Sequence, residues 1–351
     1  MTRSFKKPGA FPGTVGALAA VATAAVATAL WVRHRKTRAE RDHPPIGCFT
    51  DVDGVRLHYV DQGKGPPVVL LHGNTVLLQD FICSGLIDRL SERHRVIAFD
   101  RPGFGYSERP RDRLWTAQAQ AALIQQALAQ IGVEQPVVLG HSWGTLVAMG
   151  MAVDFPTDVR GLVLISGYYY PTARLDVALT APAALPLLGD AMRYTVSPLT
   201  GRVLLKRTVE AMFAPRPMPA DFFDVMPREM ILRPLQIRAE AEDAAFMIPA
   251  AARFRTEYAK FDMPVAIFAG AGDKIVDPKS HSTRLHQELP SSTLVVAPDS
   301  GHMVHYALAK EVVDAVNQMS AEEDARGAEL QIANDDAHPD AVRLNVVAAA
   351  L

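Results

Sequence analysis

Between the apolar run Val137-Val138-Leu139 and a second one, Leu146-Val147-Ala148-Met149, lies the pentapeptide Gly140-His141-Ser142-Trp143-Gly144. The first run reads as a buried strand and the second opens a helix. A strand can pass into a helix over so few residues only through a very tight turn, and that turn leaves no room for a Cβ beside its centre. The glycines at 140 and 144 meet that demand. The same turn strains Ser142, lifts its hydroxyl above the sheet edge and aims a helix N-terminus at it. Ser142 is therefore the candidate nucleophile.

The rest of the chain repeats the strand–helix rhythm. Phe49-Thr50-Asp51-Val52 and Val55-Arg56-Leu57-His58-Tyr59-Val60 alternate and are joined by Asp53-Gly54, a hairpin signal. Pro67-Val68-Val69-Leu70-Leu71 is a continuous apolar run, as expected for a strand covered on both faces, and Arg95-Val96-Ile97-Ala98-Phe99 reads as another buried strand. Helices are expected over 77–91 and 114–131, and after Ser142 as far as Phe155. A further strand follows at Val159–Ile165. Residues 168–262 then bring prolines, aromatics and methionines but no buried strand, and the rhythm resumes with Val265-Ala266-Ile267-Phe268-Ala269, Thr293-Leu294-Val295-Val296-Ala297 and a last helix at 304–318. The expectation is an α/β fold with a mostly parallel central sheet, its core at 48–167 and 263–319. A helical cap at 168–262 is inserted after the sixth strand, over the sheet edge where ligands of such folds bind. Most of the cap's aromatic and methionine side chains should form its own core. Some of Tyr168, Tyr169, Tyr170, Met192, Tyr194, Phe213, Phe222, Phe223, Met226, Phe246 and Met247 should line an apolar pocket.

Residues 13–32 carry no charge, and a bilayer-spanning helix needs ~20 residues. Before this run lies a basic segment, 1–12, with Arg3, Lys6 and Lys7. After it, Arg33, Arg35, Lys36, Arg38 and Arg41 open a Pro-containing linker, 33–47. Ala27-Thr28-Ala29 fits a signal-peptidase site, with cleavage leaving Leu30 first. The run is longer than a signal core, and positive charge follows it at once, so it is read as a retained anchor. Five basic residues against three put the catalytic domain on the cytoplasmic side. Residues 320–351 are acidic and aperiodic, a disordered tail. A net charge of −2 over 351 residues leaves no basic surplus for nucleic acid. Cys48 and Cys83 have no metal-ligand spacing and are read as small apolar fillers, and no cofactor or metal is implied.

A serine hydroxyl needs a base, and the base needs an orienting acid. Asp273, in Gly270-Ala271-Gly272-Asp273, and His302, in Asp299-Ser300-Gly301-His302, each follow a strand, in the order acid then histidine. With these residues in place, residues 48–318 resemble the α/β-hydrolase superfamily. The resemblance implies Ser142 as nucleophile, His302 as base and Asp273 as acid. Asp277 precedes Pro278 and suits a helix cap better. Ser166-Gly167-Tyr168 offers no acid after the sixth strand. His305 is read as a helix-face residue, His72 and His141 as turn supports, and Asp100 as turn-stabilising.

The resemblance also implies an oxyanion hole from the backbone N–H groups of Asn74 and Trp143. His72-Gly73-Asn74 together with Trp143 is similar to the halide-holding pair of haloalkane dehalogenases. Those enzymes use an aspartate, however, and an alkyl ether left on serine could not be hydrolysed. Gly-x-Ser-Trp-Gly is similar to proline iminopeptidases, whose caps supply carboxylates for a substrate amine. Glu240, Glu242 and Asp243 could do so here, although such a charge run usually marks a solvated helix face. Carbon–carbon bond hydrolases share the triad. A tethered scaffold that binds a lipophilic ligand without turnover would have no need of it. The expected activity is cleavage of an acyl bond, a carboxylic ester, in a lipophilic small molecule.

Overall fold

The computed structural model describes residues 12–174, 181–289 and 291–321. The acidic tail therefore lies outside the described residues beyond 321, as do residues 1–11. Eight strands form one sheet in the order β1-β2-β4-β3-β5-β6-β7-β8. They are β1 Cys48–Val52, β2 Val55–Gln62, β3 Pro67–Leu71, β4 Arg95–Phe99, β5 Val137–His141, β6 Gly161–Ile165, β7 Val265–Gly270 and β8 Thr293–Ala297. The Asp53-Gly54 turn makes β1 and β2 an antiparallel hairpin, and β2 also runs antiparallel to β4. All other pairings are parallel.

Alternation along the strands divides the core into two layers. Val69, Leu71, Val138 and Leu162 face one way and pack with Leu123, Ile124, Leu146 and Val147 of helices α4 (Ala117–Gln130) and α5 (Gly144–Asp154). Val68, Leu70, Leu139 and Val163 face the other way, onto Phe81, Leu86, Leu90, Val312 and Val316. Continuous apolar runs are what a sheet covered on both faces requires. Thr116 starts α4 by accepting the N–H of Ala119 with its side chain, an N-cap bond.

Three local details differ from the sequence reading. The helix expected at 77–91 breaks into α2 (Gln79–Cys83) and α3 (Leu86–Ser91), because Gly85 sits between them at φ +71°. The helix expected at 304–318 is a single 3₁₀ turn, Val304–Tyr306, followed by a helix at 309–321. Cys48 is exposed at the start of edge strand β1 rather than filling a gap, while Cys83 is half-buried.

Among the described residues, the segment between β6 and β7 is mainly helical, with its longest helices at Val196–Phe213 and Pro234–Phe254. Val209, Met212, Phe213, Phe222 and Met226 close on one another and on Val76, Leu77, Phe104 and Met303 from the loops below. At about 1.5–3 kcal/mol for each fully buried large side chain, this third cluster holds the cap against the sheet edge. Tyr168, Tyr169 and Tyr170 belong to the sheet's own core. The N-terminal helix α1 runs unbroken from Pro12 to Asp42, so its basic half is helical rather than a linker, and Pro44-Pro45 follow its end. It is long and apolar enough to cross a membrane by length and composition.

Candidate active site

Ser142 follows β5 with φ +52°, a left-handed conformation that costs a non-glycine residue roughly 1–3 kcal/mol. The surroundings enforce it. Ser142 N–H donates to the Ile165 carbonyl at 2.8 Å, and the Thr145 hydroxyl donates to the Ser142 carbonyl at 2.6 Å. A Cβ on Gly144 would lie 2.0 Å from the Leu71 carbonyl oxygen, and one on Gly140 would lie 2.7 Å from the Gly144 oxygen. Neither position admits a side chain, which is why the turn is so short.

The structure brings the three expected residues into one line. Ser142 Oγ is 2.8 Å from His302 Nε2, and His302 Nδ1 is 2.8 Å from Asp273 Oδ2. With Nδ1–H donating to the carboxylate, the Nε2 lone pair faces the serine hydroxyl and can accept its proton. Asp273 Oδ1 accepts the N–H groups of Ile275 at 2.8 Å and Val276 at 3.0 Å. Burial alone would raise the Asp273 pKa, but His302 and these two N–H groups outweigh it and hold the carboxyl below its ordinary value. Asp277 is exposed and accepts the Ser280 N–H at 2.8 Å, the capping role read for it.

Parallel pairing of Leu71 with Gly140 sets the turn after β3 beside the turn after β5. A Cβ on Gly73 would lie 2.9 Å from Ser142 Cβ, so this backbone touches the serine. Asn74 is next in that turn, and Trp143 enters α5, whose first N–H groups lack intrahelical acceptors. The Trp143 indole N–H, by contrast, donates to the Asp243 carbonyl at 2.9 Å.

A buried network secures the Asn74 turn, and its members escape a linear reading of the chain. Arg101 donates to the carbonyls of His72 at 2.7 Å and Gly73 at 3.2 Å, and to Asn74 Oδ1 at 2.7 Å. It also pairs with Asp243 of the Pro234–Phe254 helix at 2.6 Å. Arg109 pairs with the other Asp243 oxygen at 3.0 Å and with Glu242 at 2.7 Å. Glu242 and Asp243 therefore do not lie on a solvated face, because two buried guanidiniums need them as partners. The one early signal was a charged residue, Arg101, directly after the buried run 96–99 and Asp100. Burial, and then Arg101, push His72 down to about 3. It stays neutral, accepting the Arg101 N–H on Nε2 at 3.0 Å. Asp100 accepts the N–H groups of Leu78 and Tyr106 and faces His58 Nδ1 at 2.7 Å, as a turn-stabilising residue would.

His305 is buried rather than placed on a helix face. With Asp80 and His141 it brings possible metal-ligating atoms within 4.8 Å of one another behind the serine. Hydrogen bonds to Asp80, from His305 Nε2 at 3.1 Å and from the Tyr306 hydroxyl at 2.8 Å, account for the grouping.

Glu240 sits beside the same turn and accepts the Thr75 N–H at 3.1 Å. Burial pushes its carboxyl up to about 7, against the opposing hydrogen bond from the Thr75 N–H. The fold therefore favours the neutral acid. The resulting cost is absent below the ordinary carboxyl range, grows as pH rises towards 7, and is complete above it. Glu240→Gln should raise unfolding free energy at pH 8 by on the order of 1–3 kcal/mol and change it little at pH 4.5. Urea titrations at both pH values check this, and equal effects at the two would contradict it.

A mostly parallel sheet, a strained serine at a strand–helix turn and a helical insertion after β6 define an α/β hydrolase. The chain belongs to that family: the profile of the alpha/beta hydrolase fold matches residues 66–307, and the protein is a hydrolase. It is similar to Haloalkane dehalogenase 2 of Mycobacterium tuberculosis, 28% identical over 259 residues that cover 71% of this chain and 86% of that one. It is also similar to 2-hydroxymuconate semialdehyde hydrolase of Pseudomonas putida, 28% identical over 301 residues, covering 82% and 98%. Among solved structures, a thermophilic esterase from Thermogutta terrifontis superposes with a TM-score of 0.65 at 21% identity, covering 79% and 99%, a likeness of fold.

Proposed function

We propose that the protein hydrolyses a carboxylic ester of a lipophilic small molecule through an acyl-enzyme on Ser142. The observation that carries this reading is the unbroken line of two 2.8 Å contacts from Ser142 Oγ through His302 to Asp273. Ser142 Oγ attacks the ester carbonyl while its proton passes to His302 Nε2. The oxyanion is held by the N–H groups of Asn74 and Trp143, and the alcohol departs with the proton from His302. Water, deprotonated by His302, then frees the acid and restores Ser142.

Halide displacement is disfavoured despite the mycobacterial relative. A serine would be trapped as an ether, and the Trp143 indole N–H that would hold a halide is bonded to Asp243. An aminopeptidase role lacks support because Glu242 and Asp243 are bound to arginines and Glu240, the carboxyl left beside the Asn74 turn, favours its neutral form. Carbon–carbon bond hydrolysis is the second reading, favoured by the Pseudomonas relative, which is matched over nearly its whole length. A fluorophosphonate probe should label Ser142, and kcat/KM should rise from acetyl to octanoyl p-nitrophenyl esters. Selective turnover of 2-hydroxymuconate semialdehyde with poor turnover of every ester would replace the proposal with the second reading.

The same reading makes α1 a retained membrane anchor with the catalytic domain on the cytoplasmic side. Support comes from its apolar length and from the five basic residues that follow the run, against three before it.

A further inference from the structure

Helix α1 does not leave the apolar run before it meets the body of the protein. Val32 and Ala39 are buried, and Ala25, Thr28 and Ala29 are half-buried. With half-buried Arg35 between Val32 and Ala39, covered positions recur every three or four residues, so one stripe of the helix is covered from inside the apolar run to the end of the basic half. The cap provides the cover: α1 packs on its Leu188–Tyr194 and Arg228–Ile231 helices. Polar bonds fix the seat. Arg35 pairs with Glu229 at 2.8 Å, Arg233 pairs with Glu40 at 3.0 Å, and Arg202 stacks 5.0 Å above the Trp31 ring.

This docking sets a depth. If residues 13–32 lie in the hydrocarbon, the covered stretch from Ala25 to Val32 reaches about 10 Å into the apolar layer at 1.5 Å per residue. The cap surface beside it lies at that level. A wholly water-facing cap surface there would not carry a row of large exposed apolar side chains, and this one does. Exposed Lys206, Arg207 and Glu210 follow the row along the Val196–Phe213 helix. On the Val196–Phe213 helix, Val196, Leu199, Val203 and Leu204 are exposed, and Leu187 and Leu188 are exposed just before it. Pro198 and Arg202 of the same helix turn towards Trp31 and Val32, so the exposed row lies near α1 rather than on a remote face. The spacing 196, 199, 203 is that of one helical stripe, the pattern of a helix lying in a membrane interface with its apolar face buried roughly 5–10 Å. Exposed Arg33 just beyond the apolar run, and exposed Arg207 on the Val196–Phe213 helix, are cations available to lipid headgroups.

We infer that the cap rests in the surface of the bilayer that α1 crosses, with Leu187, Leu188, Val196, Leu199 and Val203 in the acyl–headgroup boundary. The substrate is then an ester that resides in the membrane and reaches the cap from the lipid side. This rests on the anchor and ester readings above and extends both.

The test uses the full chain reconstituted in vesicles of phosphatidylcholine and phosphatidylglycerol. With Cys48 replaced by serine and Cys83 by alanine, an environment-sensitive NBD label is placed through Leu199→Cys or, as a control on the core, through Glu311→Cys. The label at 199 should be blue-shifted and quenched by nitroxide lipids, and the label at 311 should report water. In addition, Leu199→Asp with Val203→Asp, both at exposed positions, should lower turnover of a long-chain ester held in the vesicles about tenfold. It should leave turnover of p-nitrophenyl acetate unchanged. Protein that resists a carbonate wash but reports water at 199 would overturn the cap inference and keep the anchor. Release by carbonate would overturn both. Equal losses on the two esters would overturn the lipid-side route, because the damage would then lie in the site itself.

Discussion

Ser142→Ala is expected to lower kcat on p-nitrophenyl butyrate by roughly 10⁵–10⁶-fold, since losing the nucleophile of a triad costs about as much as losing all of it. The fold should survive. Alanine removes one hydroxyl whose described partner is His302 Nε2, and the backbone bonds that hold residue 142 at positive φ do not involve that hydroxyl. On the proposed mechanism KM should change little, because the Ser142 hydroxyl bonds to the ester carbonyl only as the reaction proceeds and the missing hydroxyl removes no other described partner than His302. Fluorophosphonate labelling should vanish in the same variant. Steady-state kinetics with a matched circular dichroism spectrum check the result. A variant that kept wild-type turnover would move the nucleophile elsewhere and end the ester mechanism.

The site was legible in the sequence where local backbone geometry dictates residue type. Gly140 and Gly144 flank Ser142 because a Cβ at either place would strike backbone atoms. Asp273 and His302 follow β7 and β8 directly, so their place at the sheet edge follows from strand order alone. The Arg101–Asp243 pair was not legible in this way. Its members are 142 residues apart, one after a strand and one on a cap helix, and only the packing of cap on core joins them. Asp243 read along the chain is one charge in Glu240-Ala241-Glu242-Asp243, a run that would be solvated on an isolated helix. Helix α1 hid its role for a related reason. Its docking stripe is alanine, threonine and valine, no more apolar than the rest of a run that is apolar all round. Side-chain identity could locate a span but not the face that meets the cap.

Asp273→Asn should be a rate mutant, with kcat reduced by ~10⁴-fold and stability nearly unchanged. The reason is a single proton. In the wild type the anionic carboxylate accepts from His302 Nδ1, which keeps the Nε2 lone pair turned to Ser142. Asp273 stays ionised near neutral pH, since His302 and the N–H groups of Ile275 and Val276 outweigh the burial that would raise its pKa. An asparagine can still accept those two N–H groups through its carbonyl. Its amide then faces Nδ1 as a donor and moves the imidazole proton to Nε2, where it blocks the transfer from serine. Asp277→Ala tests the alternative acid. That residue caps the turn through Ser280, and losing such a cap costs about 1 kcal/mol while leaving the imidazole untouched. The pair should therefore separate cleanly, Asp273→Asn on kcat and Asp277→Ala on the urea midpoint. The opposite pattern would assign the orienting acid to Asp277 and require the 273–277 loop to rearrange when substrate binds.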